Sequence, residues 1–250
     1  MTWKPVDCHA HSTMSDGSLD VPALIERVTG RGVRPSVSDH ISHDVNGAVD
    51  SIEGVRDYLD VLAPHQIGRG GEFCWHDTLW RELPDDLARR FTHRLGSLHA
   101  IFLEDGSLVH AFSRKFPAHL SPDDYMNALI ANAERLAATM PVDILAHPTL
   151  VNLSLRHVPV DELWSEEREE RLVSALFEAG IAFEISARYK PHERLVRRAV
   201  DRGVRISLGS DGHSVDQVGD LTFPLALARH CGVRDADLFD PYERLNVTTA

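Results

Sequence analysis

The chain has 250 residues, room for one barrel-sized domain or two small ones. Its formal net charge of -12 argues against a long basic track for nucleic acid. Its apolar runs fall well short of the ~20 residues that span a bilayer, so no membrane partner is expected. The N-terminus lacks a basic stretch leading into an apolar core, and the three cysteines are scattered with no CxxC, so the expected location is cytoplasmic. Fifteen histidines are the compositional outlier.

In chain order, short apolar runs alternate with amphipathic stretches. A strand over Trp3 to His9 leads to a helix opening at Asp20-Val21-Pro22, an N-cap followed by proline in the first turn, and ending near Gly30. A strand at Val33 to Ser38 precedes a helix from Asp50 to Leu62, and a third strand covers Gln66 to Gly70. Residues 75–92 read as an insertion with short helices. Arg94 to Leu98 is the fourth strand, followed by a long loop whose variable part is 104–120. Ser121-Pro122 caps a helix reaching Thr139, and Val142 to Ala146 is the fifth strand. One helix is expected over Val160 to Ala179, a strand over Ile181 to Ile185, a helix over Pro191 to Arg202 and a seventh strand over Val204 to Leu208. A last helix covers Asp220 to His230, and the tail after Asp240 reads as irregular. Such alternation implies a parallel α/β sheet. It can close as a barrel or stay open and doubly wound; periodicity does not choose between them.

The histidines and carboxylates fall in one place on this map. His9 and His11 end strand one, with Asp16 in the following loop, and His40 ends strand two in VSDH. Glu72, His99, His147 and Glu184 end strands three to six, and Asp211 and His213 follow strand seven. In a parallel barrel these ends converge on the face where active sites are built. A single buried histidine is more often a hydrogen-bonded core residue than a ligand; the ordered set carries the inference. Strand alternation puts Asp7, His9 and His11 on one side and Cys8 on the other, making Asp7 the expected partner orienting a ligand imidazole. Most other histidines, His76 and His93 included, read as surface or helix residues, while His43 and His110 lie in loops on the active face. Imidazoles mixed with carboxylates suit zinc, manganese or iron. So many donors exceed the needs of one ion, so two or three ions sharing a bridging carboxylate are expected, with Glu72 as the bridge.

The motifs DCHAHS with SDG, VSDH, GGEF, GSLHAI, LAHP, FEIS and GSDGH resemble, in order, those of the polymerase and histidinol phosphatase (PHP) superfamily, over residues 7–213. That resemblance implies a distorted (β/α)7 TIM-like barrel, here as a single domain over residues 1–250 without a polymerase module. It implies a trinuclear centre held by His9, His11, Asp16, His40, Glu72, His99, His147, Asp211 and His213. One ion would take His9, His11, Glu72 and Asp211, the second Glu72, His99 and His147, and the third Asp16, His40 and His213. A metal-bridging hydroxide would then attack a small phosphomonoester, with Glu72, Asp211, His213 and Arg188 as the residues carrying the chemistry. Arg188 is the first choice to grip the phosphate; Lys190, Arg114, Lys115 and His43 are further substrate candidates.

GSLHAI, Tyr125 and VDILAHPTL are similar to the histidinol phosphatase branch, whereas Ser186 in EISARYKP stands where that branch has asparagine. The expected substrate is histidinol phosphate or a related metabolite. The alternative is a phosphodiesterase, 5′-nucleotidase or short-oligonucleotide exonuclease of the same superfamily. An amidohydrolase would require a strand-end lysine, which is absent, and a non-catalytic module would be expected to have lost ligands. The segments 75–92 and 104–120 are expected to wall the site and select the substrate. The oligomeric state is not legible.

Overall fold

The computed structural model describes residues 3–245. Its strands are β1 (Val6–Asp7), β2 (Arg34–Val37), β3 (His40–Ile41), β4 (Gly68–Arg69), β5 (Glu72–Cys74), β6 (Leu95–Ser97), β7 (Ala100–Phe102), β8 (Leu108–His110), β9 (Ile144–Leu145), β10 (Ala182–Ser186) and β11 (Ile206–Gly209). Its helices are α1 (Val21–Gly30), α2 (Ile52–Leu62), α3 (Leu79–Glu82), α4 (Asp85–Ala88), α5 (Pro122–Thr139), α6 (Val160–Leu163), α7 (Glu166–Ala179), α8 (Glu193–Arg202), α9 (Thr222–His230) and α10 (Tyr242–Leu245).

β2 and β3 are two pieces of one path, as are β4 and β5. Parallel pairing runs β1 to β2 to β4, and β3 to β5 to β6 to β9 to β10 to β11. The ring closes between the last path and the first. Cys8 N donates to Leu208 O at 2.9 Å, Asp211 N donates to His9 O at 2.8 Å, and Ala10 bridges Gly212 in parallel. The result is the seven-path barrel expected above. Helices lie between successive paths, as parallel crossovers require.

Local chemistry explains the helix ends. Asp20, Ser51, Ser121 and Ser165 each accept a hydrogen bond from the first turn they cap, and Gly180 and Gly203 end their helices in the left-handed conformation. α2 buries Val55, Tyr58, Leu59 and Leu62 completely. Each such side chain contributes about 1.5–3 kcal/mol of apolar burial. Tyr58 also donates to Gly70 O at 2.8 Å, tying the helix to the third path.

Three elements differ from the sequence expectation. The helix expected over Val160 to Ala179 is two, because Trp164 turns inward and Ser165 caps a new helix. The stretch after the fourth strand holds an antiparallel hairpin, β7 with β8, turning at Asp105-Gly106. Asn132 of α5 docks it, accepting from Phe102 N at 3.0 Å and donating to Phe102 O at 2.8 Å. The tail contains the helical turn α10, whose Tyr242 donates to Pro35 O at 2.6 Å; its last five positions lie outside the described residues. Among the described residues no helix is long and apolar enough to cross a membrane.

Candidate metal centre

All nine residues of the expected ligand set meet at the C-terminal ends of the strands. Glu72 is their hub, and its two oxygens face different partners. Oε1 lies 2.9 Å from His147 Nε2 and 3.2 Å from His99 Nε2. Oε2 lies 2.7 Å from His40 Nδ1, 3.4 Å from His9 Nε2 and 3.8 Å from His11 Nε2. A carboxylate so placed can bridge. Asp211 Oδ1 lies 3.4 Å from His11 Nε2 and 3.9 Å from His9 Nε2. Asp16 stands at the outer edge, 3.4 Å from His213, 3.6 Å from His40 and 3.7 Å from His11. The donor atoms fall into overlapping groups: His9, His11 and Asp211; His9, Glu72 and His147; His40, Glu72 and His99; and His11, Asp16, His40 and His213. The grouping departs from the expected partition: His9, His11 and His40 each stand between two groups, and His99 and His147 fall in different groups that share Glu72.

The chain bends sharply here. His147 and Asp211 are the non-glycine residues with positive φ, 31° and 49°, among the described residues. That conformation is costly for side-chain-bearing residues and collects at functional sites. Asp39 fixes the loop that carries Asp16, accepting from Ser12 N at 2.7 Å, Ser12 Oγ at 2.6 Å and Ser15 Oγ at 2.5 Å.

Asp7 does not orient an imidazole. β1 ends at Asp7, and its carboxylate accepts from Ser210 N, Ser210 Oγ and Gly219 N at 2.8, 2.6 and 3.0 Å, pinning the seventh path to the first. The orienting group is Glu184, whose Oε1 accepts from His9 Nδ1 at 2.8 Å while Oε2 accepts from His147 N. That bond places the His9 proton on Nδ1 and leaves Nε2 to face the cluster. Room for Glu184 depends on Gly209, where a Cβ would lie 2.1 Å from Glu184 Oε1 and 2.8 Å from His9 Cβ.

The electrostatics follow from burial and proximity. Burial alone would raise Glu72, but His40, His99 and His9 hold it well below the usual carboxylate range. Burial would likewise raise Asp211 and Asp16, and the surrounding imidazoles hold both low. Burial, with His40 beside it, pushes His11 down to about 3, and burial pushes His99 down to about 4 against the pull of Glu72. Burial opposes a charge on His9, yet Glu184, Glu72 and Asp211 raise it well above its usual value. The ionised carboxylates and the neutral imidazoles of His11 and His99 are in the donor state that divalent ions need, whereas a cation at His9 or His40 would take the place of the proton that the carboxylates draw there.

The donor set also passes a test of fit. His9 Nε2 and both ring nitrogens of His11 are buried without a hydrogen-bond partner, and His40 Nδ1 and Glu72 Oε2 face each other at 2.7 Å without the geometry of a hydrogen bond. Buried polar atoms are nearly always satisfied. So many orphans around one carboxylate fit cations bound between them.

The cluster opens into a cavity of about 340 Å³ lined by His40, His99, His147, Asp211 and His213, with Asp44, His76, His110, Phe112, Arg188 and Tyr189 on its walls. A larger cavity of about 540 Å³ at the opposite end of the barrel, lined by Lys4, Arg34, Asp235 and Asp240, holds no imidazole. Donor chemistry, not volume, singles out the smaller one. Arg188 reaches the rim, with Nη1 2.9 Å from His213 Nδ1 and 3.9 Å from Asp211 Oδ1. Lys190 lines a neighbouring cavity and stacks over Phe223. Arg114, Lys115 and His43 do not line the metal-side cavity, and His43 faces Glu82 at 3.5 Å. Two histidines were misplaced by the sequence reading. His93 is fully buried, with Nε2 3.0 Å from Cys8 O and 3.2 Å from Ser38 Oγ, and the His76 side chain is 4% exposed.

A parallel seven-path barrel with an imidazole–carboxylate cluster at its C-terminal end defines the class of fold. Solved structures share it at low sequence identity. Histidinol phosphate phosphatase from Lactococcus lactis subsp. lactis Il1403, complexed with zinc, L-histidinol and phosphate, is 15% identical. It superposes with a TM-score of 0.68 over 93% of this chain and 95% of that one. A candidate histidinol phosphatase from Listeria monocytogenes is 14% identical, with a TM-score of 0.72 over 86% of this chain and 97% of that one. No family model matches the sequence, and no curated protein matches it. The barrel implied by the PHP resemblance is the one this chain adopts.

Proposed function

We propose that this chain is a metal-dependent phosphatase acting on a small phosphomonoester. The observation that carries the reading is Glu72, buried at the centre of nine donors, with one oxygen facing His99 and His147 and the other facing His9 and His40. His9, His11, Glu72, His99, His147, Asp211, Asp16, His40 and His213 would hold two or three divalent ions, zinc first among them, since the Lactococcus structure holds zinc in the same fold. Bound there, such ions neutralise phosphate oxygens and lower the pKa of a coordinated water.

The chain's own residues supply the rest. Glu184 fixes the His9 tautomer. Arg188, free at the rim to leave His213, donates to the outer phosphate oxygens in a paired grip. Its turn is set by Ser186 Oγ, which accepts from Arg188 N and Tyr189 N at 3.2 Å each. Phe112, from the stretch after the hairpin, and Tyr189 wall the cavity beside His99 and His147, with ring centroids 5.4 and 5.1 Å away. The leaving group meets these rings. Histidinol phosphate is the first substrate to test, because histidinol and phosphate occupy the Lactococcus structure.

The test is phosphate release by zinc- and manganese-loaded protein from histidinol phosphate, nucleoside monophosphates, sugar phosphates and a chromogenic diester. Preference for a monoester supports the reading. Turnover of the diester alone replaces it with a phosphodiesterase.

A further inference from the structure

Outside the nine donors, a second cluster of metal-type side chains faces the same cavity. Asp44 Oδ2 lies 2.8 Å from His76 Nε2 and 3.8 Å from His110 Nδ1. The two rings are 5.4 Å apart and nearly perpendicular. The three donor atoms all lie within 4.8 Å of one another. We propose that Asp44, His76 and His110 form an additional divalent-cation site, separate from the nine-residue centre, at the wall of the cavity.

Chemistry and geometry support this. Two imidazoles and one carboxylate make a donor set that suits zinc or a redox-active divalent ion with positions left open. Bonds of about 2.0–2.2 Å to one ion place donor atoms at most about 4.4 Å apart; the two Asp44 separations, 2.8 and 3.8 Å, fall inside that limit, and the His76 and His110 nitrogens, within 4.8 Å of each other, lie close to it. The donors come from three separate parts of the chain, and the fold holds those parts together. Asp77 accepts from Ser42 Oγ and His43 N at 2.5 Å each and from Leu79 N at 2.6 Å, locking the Asp44 loop to the His76 turn. Asn152 Nδ2 donates to His110 O at 2.7 Å, and Ala111 N donates to His99 O at 2.7 Å, which sets the end of the hairpin beside the centre. Asp44, His76 and His110 line the cavity that His99, His147 and Asp211 also line. An ion here would cross-link the hairpin to the barrel face. Its open positions would meet water or a substrate oxygen in that cavity.

The proposal does not depend on which reaction the protein catalyses. The test is equilibrium dialysis of the full chain against zinc, with metal and protein counted in each sample and folding checked by circular dichroism. His110→Gln and His76→Gln should each hold one zinc ion fewer than the wild type. Asp44→Asn, on an exposed loop, should do the same and stands in if His76→Gln fails to fold. Equal zinc in wild type and variants overturns the proposal and leaves a hydrogen-bonded wall. Glu72→Gln separates the two sites: it should lose zinc from the nine-residue centre and keep the ion at Asp44. If Glu72→Gln keeps all its zinc while His110→Gln loses one, the nine-residue centre is wrong and this site stands.

Discussion

Replacing Glu184 with glutamine removes one charge and changes almost no volume, yet it should cost metal affinity. Glu184 accepts two hydrogen bonds, from His9 Nδ1 and from His147 N, one on each oxygen. A glutamine has one acceptor oxygen and one donor NH2. If its oxygen keeps the His147 N–H, its NH2 faces His9 Nδ1. The imidazole then moves its proton to Nε2, the atom 3.4 Å from Glu72 Oε2 that the ion needs bare. If the amide flips, two donors meet in a buried site, at a cost of about 1–3 kcal/mol. Loss of such an orienting partner typically lowers metal affinity about 10- to 100-fold, or about 1.4–2.7 kcal/mol. The assay is competition for zinc with a chromogenic chelator, run on both proteins with far-UV circular dichroism as a check on folding. A Glu184→Gln variant with unchanged zinc affinity refutes the argument that Glu184 sets the His9 tautomer.

Other predictions follow from single contacts. His9→Ala should abolish phosphatase activity and lower zinc content while the circular dichroism spectrum stays native; an active variant removes His9 from the centre. Arg188→Ala should lower kcat/KM for phosphomonoesters about 10- to 100-fold, as expected for a lost charged hydrogen bond to phosphate, and unchanged kinetics would return Arg188 to a surface charge. Gly209→Ala should destabilise by about 1–3 kcal/mol through overpacking and weaken zinc binding, because the new Cβ displaces Glu184; a wild-type Tm would contradict the close approach. His93 gives a pH signature. Burial lowers it from 6.5 to about 4, so the folded protein resists a proton that the unfolded chain accepts. Its contribution is present above pH 6.5 and is lost as pH falls toward 4, amounting to about 3 kcal/mol. Against His93→Gln, which does not titrate, the wild type should lose more Tm between those pH values; parallel melting curves would mean that His93 is not buried neutral.

The sequence made the site legible because its donors sit at strand ends, and turn chemistry marks where strands end. Glu72 follows two glycines, His147 precedes Pro148, and Asp211 precedes Gly212. Partners distant in the chain were harder to see. Asp7 sits two residues before His9, so alternation nominated it, but its carboxylate is taken up by Ser210 and Gly219 after the seventh path. The orienting role passes to Glu184, 175 positions away, which no local pattern can pair with His9. His93 and His76 show the same limit. Each looks like a surface histidine until the fold brings Cys8 and Ser38 to one and Asp44 to the other. The hairpin had a local signal, the Asp105-Gly106 pair between short apolar runs, and it forms a three-residue loop, Glu104 to Gly106, with Gly106 in the left-handed conformation. The break at Trp164-Ser165 was hidden because charged residues on both sides continue the helical look, while the burial of Trp164 depends on its neighbours in space. Substrate choice is the least legible, since it depends on the walls that loops and hairpin bring to the cavity.

The most direct test of the central claim is anomalous diffraction at the zinc edge from crystals of the zinc-loaded protein. Two or three peaks around Glu72, with at least two within bonding distance of its opposite oxygens, are the predicted result. A single peak that leaves Glu72 unbound, or none within reach of His9 and His147, would contradict the bridged metal centre.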